Sequence, residues 1–133
     1  MTVLIGIDAQ AIAEAEASIA QVGDRYTRRL STDEEPATCG NGPAALAQGL
    51  AGRFATKEAV LKILSVGDVV PAWRSVEIRG TTTGRPEVAL GGEAVALARR
   101  QGITSLSLSL TRDGGIAAAA VVATVSPLDS DSP

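Results

Sequence analysis

Arg53, Lys57, Glu58 and Lys62 fall within one short stretch, Arg53-Phe54-Ala55-Thr56-Lys57-Glu58-Ala59-Val60-Leu61-Lys62-Ile63-Leu64. It reads as the second half of a long, mostly apolar helix. Leu46, Leu50, Phe54, Leu61 and Leu64 recur at i, i+4 and i+7 spacings, which places them on one helical face. At roughly 100° per residue, Lys57 falls inside that stripe. Glu58 lies on its shoulder, and Lys62 follows one turn later on the same side. Charges on an apolar stripe must be paired, must snorkel, or must face a wet functional cleft. Two readings stand open: a Glu58–Lys62 pair at i, i+4 with the lysine stems snorkelling, or a functional carboxylate with lysines beside it. Asp8, after Gly6-Ile7 at the expected end of the first strand, is a second candidate acid. It reads as the N-cap of a following helix or as a functional carboxylate. Asp8 and Glu58 together would form a two-carboxylate site. Mg²⁺ is typically held by one or two protein carboxylates plus waters and substrate phosphates, and Lys62 would be a natural phosphate partner. That constellation suggests phosphoryl or pyrophosphate chemistry.

Composition narrows the alternatives. The chain has 133 residues and no histidine, which excludes a Ser-His-Asp or Cys-His site and a histidine general base. With one cysteine, Cys39, zinc is a poor expectation and no intrachain disulfide can form. The net charge of −3, without a basic run, is not a nucleic-acid-binding profile. Tyr26, Phe54 and Trp73 are the only aromatics, too few for a base-stacking platform. No stretch is long and apolar enough to span a membrane, and Val3-Leu4-Ile5 is too short for a signal segment. Cytoplasmic residence is the default expectation.

The elements that must position these residues follow from periodicity. Thr2 to Ile7 reads as a strand and Ala9 to Val22 as a helix. Asp24 to Asn41 is irregular, with Ser31-Thr32-Asp33-Glu34 as a possible capped turn. Pro43 suits the first turn of the long helix, which ends before Gly67. Arg74 to Gly80 and Pro86 to Leu90 form a hairpin around Thr81-Thr82-Thr83-Gly84. Glu93 to Gln101 is a short helix. Ile103 to Thr111 alternates Leu106, Leu108 and Leu110 with Ser105, Ser107 and Ser109. Asp113-Gly114-Gly115 is a tight-turn signal. Ile116 to Val125 reads as a fully buried strand. Two hairpins with helices imply an α+β fold, an antiparallel sheet packed with helices. Residues 1–125 are expected to form one domain, and 126–133 a disordered tail.

Four motifs taken together resemble the holo-acyl-carrier-protein synthases, the small 4′-phosphopantetheinyl transferases. They are Gly6-Ile7-Asp8, Arg53-Phe54-Ala55-Thr56-Lys57-Glu58-Ala59-x-x-Lys62, Gly84-Arg85-Pro86, and Ser109-Leu110-Thr111-x-Asp113. The resemblance covers roughly residues 3 to 124, in order. It implies that the 4′-phosphopantetheine arm of coenzyme A is moved onto a serine of an apo acyl carrier protein, releasing 3′,5′-adenosine bisphosphate. By the same resemblance, Asp8 and Glu58 hold Mg²⁺ and Lys62 lies near the phosphates. Arg53, Gly84, Arg85, Pro86, Thr111 and Arg112 lie beside the nucleotide. It further implies a homotrimer with active sites at subunit interfaces, where Asp8 and Glu58 meet Gly84, Thr111 and Arg112 only across two subunits.

The chain departs from the family pattern at three places. Arg112 stands where the family usually has histidine; a guanidinium cannot act as a base at neutral pH but can fork onto a phosphate. The first helix carries Glu14 and Glu16 where the family is usually basic, and its cationic residues come later, at Arg25, Arg28 and Arg29. Ala11 stands where many relatives have a further acid. An alternative expectation is therefore a repurposed or inactive descendant, using the interface cleft for another ligand or reaction.

Overall fold

Period-two patterning in three segments builds the central sheet. A computed structural model describes residues 2–22, 43–65, 69–79 and 85–126. In chain order these hold β1 (Thr2–Ala11), α1 (Ile12–Val22), α2 (Pro43–Leu64), a 3₁₀ turn (Trp73–Ser75), β2 (Val76–Arg79), β3 (Glu87–Leu90), α3 (Gly92–Arg100), β4 (Ile103–Asp113) and β5 (Ile116–Val125). Strands β1, β5 and β4 form an antiparallel sheet in that order, with β2 and β3 as a separate hairpin. The α+β expectation holds. The irregular stretch with Arg25, Arg28 and Arg29, the turn ending at Gly84, and the tail from Pro127 lie outside the described residues.

Register fixes what each face carries. Across the sheet, Leu4, Ala123 and Leu106 share a row, as do Gly6, Val121 and Leu108, and then Asp8, Ala119 and Leu110. This inner face packs on α2, and the alanines Ala117, Ala119 and Ala123 are buried there. With so little side chain on the sheet, the helix comes close. A Cβ on Gly6 would collide with the carbonyl oxygen of Ala59 in α2. Leu50, Val60 and Leu64 are fully buried, and Ala59, Val60, Leu61, Ile63 and Leu64 continue into a cluster with Val76, Ile78 and Ala94.

The structure corrects three sequence expectations. First, β1 does not stop at Ile7. Each residue as far as Ala11 has a partner on β5, ending with Ala11 opposite Ile116, and pairing overrides the mild helical preference of Ala9 to Ala11. Asp8 therefore lies within a strand and caps nothing. Helix α1 opens at Ile12, whose amide donates to the Gly115 carbonyl at 2.9 Å. Second, β5 is not buried on both faces. Ala117, Ala119, Val121 and Ala123 are buried, but Val122 on the opposite face is exposed. Third, the first strand of the hairpin begins at Val76, because Trp73–Ser75 winds into a 3₁₀ turn.

Local signals elsewhere act as expected. Gly114 and Gly115 sit at φ 59° and 79°, the left-handed pair that a two-residue hairpin turn demands. The C-terminal end of α2 is closed from α3's side, where Gln101 Nε2 donates to the Leu64 carbonyl at 2.9 Å. Lys57, the charge inside the apolar stripe, is fully buried. Its ammonium donates to the Trp73 carbonyl at 3.1 Å, and Trp73 stacks at a tilt on Phe54 with ring centroids 4.6 Å apart. The stripe tolerates this lysine because it is hydrogen-bonded.

The close approach of α2 to β1 gives a direct test. Gly6→Ala should cost about 1–3 kcal/mol, the usual cost of overpacking against atoms that cannot retreat. Urea denaturation of wild type and variant measures it; an unchanged midpoint would contradict the packing described.

Candidate functional site

Two groups of chemically capable side chains emerge, on opposite edges of the sheet. The first sits where β1 meets α2. Asp8 points to the inner face, in the row of Ala119. The neighbouring turns of α2 bring Glu58 and Lys62 to it. Lys62 Nζ donates to Asp8 Oδ1 at 3.2 Å and to the Ile7 carbonyl at 2.8 Å. The lysine thus pairs with Asp8, 54 residues earlier in sequence, and not in the simple i, i+4 arrangement with Glu58. Glu58 is half-buried. Its carboxyl is pushed above the ordinary glutamate value by desolvation first and by the Asp8 charge second, with Lys62 pulling the other way. The Asp8 charge acting on a partly desolvated Glu58 marks a site rich in negative charge.

That donor set fits a hard divalent cation. Two carboxylates from a strand and a facing helix turn match what Mg²⁺ ordinarily takes from protein, leaving its other positions to water and phosphate. Among the described residues no group of three or more His, Cys, Asp or Glu is placed to hold a metal ion. A cation here would take its remaining ligands from oxygens other than these two carboxylates, such as water or phosphate.

The second group lines an open cleft of about 370 Å³ formed by Arg53, Ile78, Pro86, Leu110, Thr111 and Arg112. Arg53 comes from α2, and Nη1 donates to the Gly49 carbonyl at 3.3 Å. Arg112 comes from the inner face of β4, in the row of Gln10 and Ala117. Its guanidinium lies over Gly52, where an added Cβ would stand 3.7 Å from Nη2. Pro86, Ile78 and Leu110 supply an apolar wall. Arg85 is exposed beside Pro86, and Thr111 is exposed on β4. Two guanidiniums next to an apolar wall suit an anionic group attached to a flat ring. Arg112 also borders a second cleft, of about 550 Å³, between α1 and the β4–β5 turn.

Within one chain the two groups draw on different strands, β1 and β4, while α2 contributes Glu58 to one and Arg53 to the other. Asp8 and Leu110 pair with Ala119 from its two sides, so β5 stands between them, two strand spacings or roughly 10 Å across. The structure brings Asp8, Glu58 and Lys62 together, and gathers Arg53, Pro86, Thr111 and Arg112 around one cleft. Gly84 lies outside the described residues. The apolar wall of Ile78 and Leu110 was missed, as was the room that Gly52 leaves for Arg112. A glycine inside the long helix, at Gly52, was the available signal for the latter.

Comparisons with known proteins are specific. A family model described as the 4′-phosphopantetheinyl transferase superfamily matches residues 4–121. The holo-[acyl-carrier-protein] synthase of Desulforudis audaxviator is 39% identical over 126 residues, covering 95% of each chain. The crystal structure of Helicobacter pylori holo-[acyl-carrier-protein] synthase in complex with coenzyme A superimposes with a TM-score of 0.77 at 28% identity, covering 91% of this chain and 100% of that one. The Bacillus anthracis synthase in complex with CoA (3′,5′-ADP) gives 0.71 at 26% identity, covering 92% and 96%.

The raised Glu58 pKa sets a pH dependence. Here the folded chain binds the Glu58 proton more tightly than the unfolded chain, whose reference value is 4.5. Metal-free stability from this group is therefore greatest below that value and declines as pH rises through the raised one. Glu58→Gln should be more stable than wild type to urea at pH 7 without divalent cations. That advantage should shrink toward pH 4. A variant less stable at pH 7 would contradict the stated environment.

Proposed function

This chain belongs to the 4′-phosphopantetheinyl transferase superfamily, and we propose that it acts as a holo-acyl-carrier-protein synthase, transferring the 4′-phosphopantetheine arm of coenzyme A to a serine of an apo acyl carrier protein in a Mg²⁺-dependent reaction. One observation carries the site assignment: Asp8, Glu58 and Lys62 converge from a strand and a helix far apart in sequence. Asp8 and Glu58 are the residues that would hold Mg²⁺. When bound, the ion would neutralise pyrophosphate charge and lower the pKa of a coordinated oxygen.

The residues divide the remaining work. Lys62, on an exposed stem, grips the pyrophosphate oxygens through charge-assisted hydrogen bonds. The carrier serine's oxygen forms a bond to the phosphorus bearing the pantetheine arm. The bond from that phosphorus to the bridging oxygen breaks, and 3′,5′-adenosine bisphosphate leaves. With no histidine in the chain, the serine proton passes to a carboxylate at this edge or through water to bulk solvent. Arg53 and Arg112 clamp the phosphomonoester of the nucleotide, with Arg112 filling the position of the family histidine as a phosphate fork and not as a base. Ile78, Pro86 and Leu110 back the nucleotide. Thr111, Arg85 and Gly84 complete that side by family resemblance. These substrates suit the cytoplasm, and among the described residues no helix is long and apolar enough to cross a membrane.

The exposed outer face of the sheet supports the homotrimer that the family resemblance implies. The outer face of the sheet exposes Val3, Ile5 and Ile7 by 46%, 66% and 63%, beside exposed Val122. Such a contiguous apolar patch is a mark of an interaction surface. A heterologous contact repeated around a three-fold axis would cover it and bring the acid edge of one copy to the arginine cleft of the next.

Intact-mass analysis of apo carrier proteins incubated with the protein, coenzyme A and Mg²⁺ tests the activity. The expected result is a gain of one phosphopantetheine arm, absent with Glu58→Ala. No gain on any carrier, with a family synthase working alongside, would overturn the proposal. Ile5→Asp should convert the trimer to monomer in light scattering and abolish transfer. A fully active monomer would refute the interface site.

A further inference from the structure

The ammonium of Lys62 lies where it competes with a cation. It contacts Asp8 Oδ1 at 3.2 Å and the Ile7 carbonyl at 2.8 Å, committing two of the three donors that a lysine has. We propose that Lys62 is a resident counter-ion that holds the Asp8–Glu58 pair against divalent cations until the pyrophosphate of coenzyme A draws the ammonium away, so that cation and nucleotide bind cooperatively. The inference rests on the reading of Asp8 and Glu58 as the metal-holding acids.

Three features carry it. With Lys62 in place, the three side chains sum to a single negative charge; with Lys62 withdrawn, the acids present two. A strongly hydrated ion that dehydrates reluctantly gains little from the first arrangement and much more from the second. Asp8 is the acid that Lys62 touches, and repulsion between an ammonium and a cation sharing one carboxylate oxygen is severe at contact distance. Little packing holds the lysine, whose side chain is 54% exposed while that of Asp8 is only 21% exposed, and its two hydrogen bonds are the ties that a phosphate would replace. The stem can swing outward without leaving a cavity, whereas the acid stays fixed between strand and helix. An arriving pyrophosphate offers the ammonium oxygens of higher charge than the Ile7 carbonyl. Transfer of Lys62 to the phosphate and entry of the cation then favour each other, and linkage makes the effect reciprocal.

Manganese binding measured by electron paramagnetic resonance, on the full chain with and without coenzyme A and no carrier protein, tests this. Cation held by free coenzyme A is subtracted with a protein-free blank. Wild type should bind Mn²⁺ weakly alone and roughly tenfold or more tightly with coenzyme A, within the usual span of coupling between sites. Lys62→Met, which keeps the stem and removes the charge, should bind Mn²⁺ alone about tenfold more tightly than wild type and lose the coupling. Lys62→Arg, which retains the charge, should behave more like wild type. Equal Mn²⁺ affinity of wild type and Lys62→Met without coenzyme A would overturn the gate while leaving the acids as the metal site. A separate failure is distinguishable: if Asp8→Asn leaves Mn²⁺ binding with coenzyme A unchanged, the acids do not hold the metal, and the gate falls with that reading.

Discussion

The approach of α2 to the sheet is the constraint on which the rest depends. Gly6 leaves no Cβ between β1 and the Ala59 carbonyl, and the buried face of β5 offers mainly alanine methyl groups. A helix seated this low sets Glu58 and Lys62 at the level of Asp8. Raised by one methyl layer, the same residues would face solvent separately, and the ion pair between Lys62 and Asp8 could not form. The small residues that look like poor core material are therefore what make a two-carboxylate site possible. Bulk is supplied on the other side of α2 by Leu50, Val60 and Leu64, and by the buried, hydrogen-bonded Lys57.

Much of the fold was legible because its signals are local. Alternating leucine and serine from Ile103 onward fixed β4, and two glycines at the turn fixed the β4–β5 hairpin with both residues at positive φ. Pro43 and the leucine spacing marked the long helix. The errors share one cause, which is that pairing is not local. Nothing in Ala9-Gln10-Ala11 announces a strand; only the ten-residue ladder with β5 makes it one. Nor can an Ala/Val run reveal that one of its faces lacks a layer, because that depends on what packs there.

The candidate site was legible by type and only partly by geometry. Residue chemistry identified Asp8, Glu58 and Lys62, but not that Lys62 would reach across to the strand in place of pairing with the neighbouring glutamate. The family resemblance marked Arg112 as a departure, but not the space over Gly52 that receives its guanidinium. That acids and arginines stand on opposite edges of one sheet became visible only once the strand order β1-β5-β4 was known. That order is one support for the proposal that a catalytic centre is shared between two copies of the chain.

Subunit mixing tests this claim most directly. Asp8→Ala/Glu58→Ala chains would be co-refolded with equal amounts of Arg53→Ala/Arg112→Ala chains, each inactive alone, and transfer to carrier protein measured. A shared site predicts recovery to roughly a quarter of wild-type activity, the fraction of interfaces in a random heterologous ring that join two intact halves. No recovery, in rings shown by native mass spectrometry to be mixed, would place both halves within one chain and contradict the account.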